Sequence, residues 1–200
     1  MLKKTPEPIV HSSLGLGAIC QRLQDAATCE ILELGTVKGD NVQFWSRFSP
    51  FLHIADLRSI LPLPVVPEDP EVLEQPERDW DHLLPLPESR QFDLILAWDL
   101  LNYLEIPDVS SLIRYLSRFC RPGTLLFTLI FDLKEMPKEI CAYRIVDGER
   151  LRYEYGSAAL RTCPRHQPRT IASAMPQFRV ANSFRLRNGV VEYIFSYGGD

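Results

Sequence analysis

Two uninterrupted apolar runs, FDLILAW (92–98) and GTLLFTLIF (123–131), constrain the fold of this chain more than any other feature. Neither alternates, so each reads as a strand buried on both faces, the habit of parallel sheets. Between them Val109, Leu112, Ile113, Leu116 and Phe119 recur at the spacing of an amphipathic helix. Pro107 suits that helix's first turn, and Pro122-Gly123 predicts its end. Strand, helix and strand in this order predict a parallel sheet with helices on both faces.

The upstream half follows the same alternation. Residues 29–34 read as a first strand ending at Gly35. A short helix follows from Asp40 through Val42, Phe44, Trp45 and Phe48, and stops before Pro50. Residues 51–55 read as a second strand, closed by Asp56. Ahead of these, residues 14–27 have Leu16, Ile19, Cys20 and Leu23 at helical spacing, with Ser12 or Ser13 as N-cap. The GLG inside that helix follows a proline-bearing polar leader rather than a strand, so it is no phosphate cradle. Prolines at 62, 64, 67, 70, 76, 85 and 87 leave room for one to three helical turns within 70–84 and for a short, poorly marked third strand. Beyond 131 the pattern changes. Residues 143–155 read as a hairpin around Asp147-Gly148, 169–176 as a short helix ended by Pro176, and 177–197 as a second hairpin. Asn188-Gly189 at its tip predicts a two-residue turn with φ > 0 at both positions. Two strands joined this way run antiparallel, so one of them opposes the parallel set.

Two hundred residues suit one domain, 1–200, in which 132–170 is an insertion or lid-like segment. No run of about 18 apolar residues is present, so no membrane helix is expected. The start, MLKKTPEPIVHSS, lacks the apolar stretch of a secretory signal. The five cysteines form no CxxC pair, which speaks for buried packing residues and a cytoplasmic setting rather than disulfides or zinc. Formal net charge is −4, unevenly spread: nine acids stand against Arg78 and Arg90 in 64–93, and nine arginines against three acids in 141–190. These are either two solvated faces of opposite sign or an arginine-rich part that meets an anionic partner. Overall acidity argues against a dedicated nucleic-acid binder.

Taken in order, ELGTVKG (33–39), Asp56, FDLILAWDLLNYL (92–104), RPGTLLFTLIF (121–131) and the Asn-Gly hairpin resemble the class I S-adenosylmethionine-dependent methyltransferases. The resemblance covers about 29–131 and 177–197. It implies a Rossmann-like α/β methyltransferase fold, with a mostly parallel seven-stranded sheet, one antiparallel strand and helices on both faces. It implies S-adenosyl-L-methionine as cofactor. Gly35 and Gly39, with Thr36, would form the turn that meets the methionine end. Glu33 would steady that turn and the amino group, and Asp56, followed by Leu57, would accept from the ribose hydroxyls. Asp81, beside Trp80, would face the adenine, and Trp98 the sulfonium. Asp99, Tyr103 and His166 are the catalytic candidates, with Asn102 a further pocket residue. Residue by residue the bland readings are a strand end for Gly35, a cap for Asp56, core for Trp98 and a surface ring for His166.

One position departs from the family pattern: Val37 stands where a further glycine is usual. In that glycine's left-handed conformation valine would be strained by roughly 1–2 kcal/mol, so the loop takes a different path or the cofactor site is degenerate. The reading is therefore a methyltransferase acting on a small molecule or an unidentified macromolecular acceptor, with arginines selecting an anionic group. The alternative is an inactive relative serving as an interaction or regulatory subunit. The Asn/Asp-Pro-Pro-aromatic signature of nucleobase amino-methylases is replaced by Asp99-Leu100-Leu101-Asn102, so DNA amino groups are not expected substrates. No His/Cys/Asp spacing points to a metal, and no GxGxxG follows the first strand.

Overall fold

A computed structural model of the chain describes residues 9–24, 28–36, 38–48, 51–60 and 78–198. The conformation of Val37, the third strand if it falls within 61–77, and the start of any helix within 70–84 lie outside the described residues. In chain order the elements are β1 (Ile9–Ser12), α1 (Leu14–Gln24), β2 (Glu30–Glu33), α2 (Gly39–Trp45), β3 (Phe51–Ile54), α3 (Leu57–Ile60), α4 (Trp80–Leu83) and β4 (Phe92–Trp98). A 3-10 turn, Leu100–Tyr103, leads to α5 (Ile106–Ser117), β5 (Cys120–Phe131), β6 (Glu135–Pro137), β7 (Ala142–Asp147) and β8 (Arg150–Glu154). β9 (Leu160–Thr162), α6 (Pro168–Ala174), β10 (Phe178–Arg185) and β11 (Val190–Tyr197) complete the chain.

The main sheet has the order β10-β11-β5-β4-β2-β3. β3, β2, β4 and β5 are mutually parallel, β11 runs against β5, and β10 against β11. β11 is thus the single reversed strand, as expected. The count differs: six strands stand among the described residues where seven were expected. From β2 the chain steps outward to β3, and from β4 it steps the other way to β5. Right-handed crossovers in opposite directions put α2 and α5 on opposite faces. The α5 stripe Val109, Leu112, Ile113 and Leu116 is buried, with Phe119 just beyond it, and α4 and α6 pack beside it. Ser13 caps α1, its Oγ accepting the Leu16 N–H at 3.1 Å.

Two boundaries shift for local reasons. α5 ends at Ser117 and the following strand already begins at Cys120, so Pro122-Gly123 interrupts β5 instead of preceding it. Gly123 takes φ +92° there, and the β4–β5 register slips between Phe92 and Leu94. At the last hairpin only Gly189 has positive φ, +80°. The Gly189 N–H donates to Leu186 O at 3.3 Å and the Leu186 N–H to Val190 O at 2.8 Å. That is a three-residue loop with glycine in the left-handed position, not the expected two-residue turn.

Two small sheets lie outside the main one. β1, β8 and β7 form a three-stranded antiparallel sheet, and β6 pairs with β9. The open edge of β7 is satisfied from α2: buried Asn41 donates to Tyr143 O and accepts from the Ile145 N–H, both at 2.8 Å. This fixes residues 142–145 over the carboxyl ends of the parallel strands. All five cysteines are buried thiols outside any disulfide. Among the described residues no helix is long and apolar enough to cross a membrane.

Candidate functional site

The carboxyl rim of β2, β3 and β4 gathers most of the residues singled out by sequence. Parallel pairing continues past the strand ends: the Leu34 N–H donates to Leu96 O, the Ala55 N–H to Glu33 O and the Leu57 N–H to Leu34 O. This extension draws Asp56 up beside the Gly35 turn. Asp56 Oδ1 accepts from Thr36 Oγ1 at 3.5 Å and from the Arg58 N–H at 3.1 Å. Its carboxylate therefore both caps α3 and faces the glycine turn. Among the described residues Oδ2 meets no donor. Leu57 itself is core. Gly39 opens α2, and a Cβ placed there would meet nothing within 4 Å.

Glu33, at the end of β2, is 2% exposed. Its Oε1 accepts from the Gly35 N–H at 2.9 Å and from Trp98 Nε1, while Oε2 has no partner among the described residues. Burial pushes this carboxyl up to about 8; nearby Asp56 adds to the rise, and the two hydrogen bonds oppose it. An unpartnered oxygen on a buried acid is costly unless a cation or donor meets it.

Trp98 is buried and takes φ +45°, a left-handed conformation that costs an L-residue roughly 1–2 kcal/mol. Several contacts hold it there. Thr128 Oγ1 donates to its carbonyl at 2.7 Å, Phe127 meets it edge-on, and Tyr143 stacks on it with centroids 5.1 Å apart and planes 7° from parallel. Its indole lies against Gly35, where a Cβ would come within 2.5 Å of Trp98 Cδ1. Gly35 is needed for this close approach, and Trp98 walls the turn.

Asp99 follows with no exposure. Its Oδ2 accepts the Cys141 N–H at 3.1 Å, Oδ1 meets no donor at hydrogen-bond distance among the described residues, and burial raises the carboxyl to about 6 against the opposing pull of Cys141 and the Tyr143 hydroxyl. The β7 segment seals Asp99 from the open rim. Tyr103 donates its hydroxyl to Glu139 O at 2.7 Å and also lies 3.1 Å from Pro137 O, which anchors the segment around β6. Asn102 is a bridge, not a pocket residue: its Nδ2 donates to Asp99 O and Leu129 O, and its Oδ1 accepts the Phe131 N–H. His166 is separate. Its Nε2–H donates to Leu104 O at 3.2 Å, and it lines a cavity of about 330 Å³ beyond β5 with Asp132, Arg165, Arg185 and Tyr193.

Asp81 is not brought to the rim. It is exposed and ion-paired with Arg118 at 2.7 Å. Arg118 ends α5, the helix that carries the chain back toward the amino ends of the strands, so Asp81 lies on the wrong side of the sheet for this site. Its partner Trp80 is buried, donating from Nε1 to Ser111 Oγ at 2.8 Å. Tyr143 is the rim residue that sequence reasoning missed. Its place depends on Asn41 holding β7 over the rim, a long-range contact with no local signal. Among the described residues no His, Cys, Asp and Glu cluster has the geometry of a metal site.

No protein-family model matches the sequence, and no curated protein matches it. Solved structures do resemble it. DesVI from Streptomyces venezuelae aligns over 92% of this chain and 91% of its own, with TM-score 0.52 and 9% identity. CalS10, an amino pentose methyltransferase from Micromonospora echinaspora solved with S-adenosylmethionine bound, aligns over 91% and 89%, with TM-score 0.50 and 10% identity. Strand order, the single reversed strand and these likenesses together give the chain the fold of the class I S-adenosylmethionine-dependent methyltransferases.

Proposed function

We propose that the chain is an S-adenosylmethionine-dependent methyltransferase that binds its cofactor at the carboxyl rim of β2, β3 and β4. The observation that carries this reading is Glu33: a buried acid with one oxygen tied to the Gly35 turn and the other unpartnered. Once the carboxyl gives up its proton to an arriving cation, such an oxygen suits an ammonium group, and the free Oδ2 of Asp56, close by, suits a pair of hydroxyls. CalS10, which shares the fold, is described with this cofactor bound. The cofactor would supply an activated methyl on a sulfonium. The chain's own part is to bind, orient and exclude water, since alignment of the acceptor provides much of the rate in such a displacement.

On this reading the acceptor side is the cavity beyond β5, to whose wall the 132–170 segment contributes Asp132, Arg165 and His166. There Asp132 holds both Arg165, at 3.1 Å, and Arg185, at 2.7 Å. Two guanidiniums on one carboxylate leave a net positive charge for an anionic acceptor. The two arginines keep Asp132 below the usual carboxylate range. His166, with Nε2–H committed to Leu104 O, presents Nδ1 as a proton acceptor where the acceptor must lose one.

The second reading is an inactive subunit with this fold. In the structure the Trp98 indole packs against Gly35. An inactive subunit with this fold would keep that contact permanently. Thermal unfolding separates the two readings. Millimolar S-adenosylmethionine or S-adenosylhomocysteine should raise the midpoint of the enzyme, and an unchanged midpoint with both ligands would leave only the inactive subunit.

A further inference from the structure

A second polar cavity, of about 260 Å³, opens between α2 and the β7–β8 hairpin, lined by Asp40, Gln43, Arg47, Arg144 and Arg152 with Phe44 and Ile145 as apolar wall. Nothing in the methyl-transfer reading uses these side chains. Arg144 is bound by Asp40 and Glu154. Arg152 stands directly across from it in the β7–β8 register, and among the described residues it makes no ion pair. Arg47 lies over the Phe44 ring, its guanidinium carbon 5.6 Å from the centroid, and likewise makes no ion pair. Like charges directly opposed across two strands destabilise a sheet. Here Arg47, Arg144 and Arg152 face Asp40 in the lining, and Glu154, behind Arg144, is itself paired with Lys38 at 2.9 Å, so cations exceed acids by two in a chain whose formal net charge is −4.

We propose that this groove binds a small molecule bearing a phosphate group. A formal excess of two positive charges matches a phosphate monoester dianion, whereas a monocarboxylate would leave one arginine uncompensated. Guanidinium forks fit phosphate oxygens in pairs. The cavity falls just below the usual range for small-molecule pockets, which points to a compact ligand with a short organic body against Phe44 and Ile145. An anion there adds to Asp40 and Glu154 in offsetting the Arg144–Arg152 opposition.

The probe is inorganic phosphate, read by thermal unfolding of the full chain. Phosphate also stabilises proteins by exclusion from their surfaces, so the quantity read is the difference between wild type and variant. At ten times its dissociation constant phosphate should raise the wild-type midpoint by roughly 3–6 °C more than that of Arg47→Gln/Arg152→Gln. Unliganded Arg152→Gln should unfold no earlier than wild type, because it removes the opposed charge. Arg47→Gln, an exposed change in the turn after α2, should by itself weaken phosphate at least tenfold and gives a second reading should the double variant fold poorly. Equal phosphate shifts in wild type and variants would overturn the proposal. So would tighter retention of polyglutamate or single-stranded RNA than of phosphate, which would assign the groove to a macromolecule. The response to S-adenosylhomocysteine should be the same in all these variants, so this proposal and the methyltransferase reading fail separately.

Discussion

Replacing Glu33 by Gln should change how the stability of this protein depends on pH. The folded chain holds this carboxyl at about 8, against an ordinary value of 4.5. Between those values the folded state keeps a proton that the unfolded chain has released. Stability due to Glu33 is therefore fully present below 4.5 and is lost as pH rises toward 8, by about 1.4 kcal/mol per pH unit. Asp99, raised from 3.8 to about 6, loses its contribution mostly below pH 6, and its effect cancels when wild type and variant are compared. Between pH 6 and 8.5 the Glu33 effect alone amounts to roughly 2–3 kcal/mol, a large share of the stability of an ordinary domain. Glutamine keeps an oxygen for the Gly35 N–H and Trp98 Nε1 but carries no titrating proton. Urea unfolding at several pH values from 6 to 8.5 should show wild type losing roughly 2–3 kcal/mol relative to Glu33→Gln. Parallel curves would mean that Glu33 ionises freely in the folded protein, and the burial argument would fall.

Gly35→Ala should destabilise the protein by about 1–3 kcal/mol, since the new methyl would stand within 2.5 Å of Trp98 Cδ1. In a double-mutant cycle Trp98→Leu should recover part of that loss, and strictly additive effects would refute the contact. Asn102→Ala should cost about 2–4 kcal/mol in urea unfolding, because it strands the buried Phe131 N–H and Leu129 O; a loss under 1 kcal/mol would show that water replaces the amide. Gly189→Ala forces alanine into φ +80° and against Leu133, and should lower stability by at least about 1 kcal/mol. An unchanged midpoint would show that the hairpin tip relaxes freely.

The central layers were readable from sequence because their signals are local. FDLILAW and GTLLFTLIF have no polar face to show water, and the α5 stripe has one, so period and polarity alone place them. Glu33, Gly35, Thr36, Asp56 and Trp98 converge because each follows or ends a parallel strand, and parallel strands end on one side. What stayed hidden depends on contacts far apart in sequence. β1 lies in a leader broken by Pro6 and Pro8, and it becomes a strand because β8 offers it an edge. β6 and β9 are three residues each and exist through their pairing. Tyr143 reaches the rim through Asn41, 102 positions away. Asp81 was misplaced because its distance along a proline-rich stretch says little about which end of the sheet it reaches. Trp98 was legible as a rim residue, but its packing on Gly35 was not, since the left-handed backbone that aims it is fixed by Thr128 and Tyr143.

Calorimetric titration with S-adenosylhomocysteine, on wild type and on Asp56→Ala, bears on all of this at once. Binding at the rim predicts one site per chain in the wild type and an affinity at least tenfold lower in the variant, consistent with about 1.5–3 kcal/mol for hydrogen bonds to a charged acceptor. No heat from the wild type at millimolar ligand, or equal affinity in the two proteins, would contradict it.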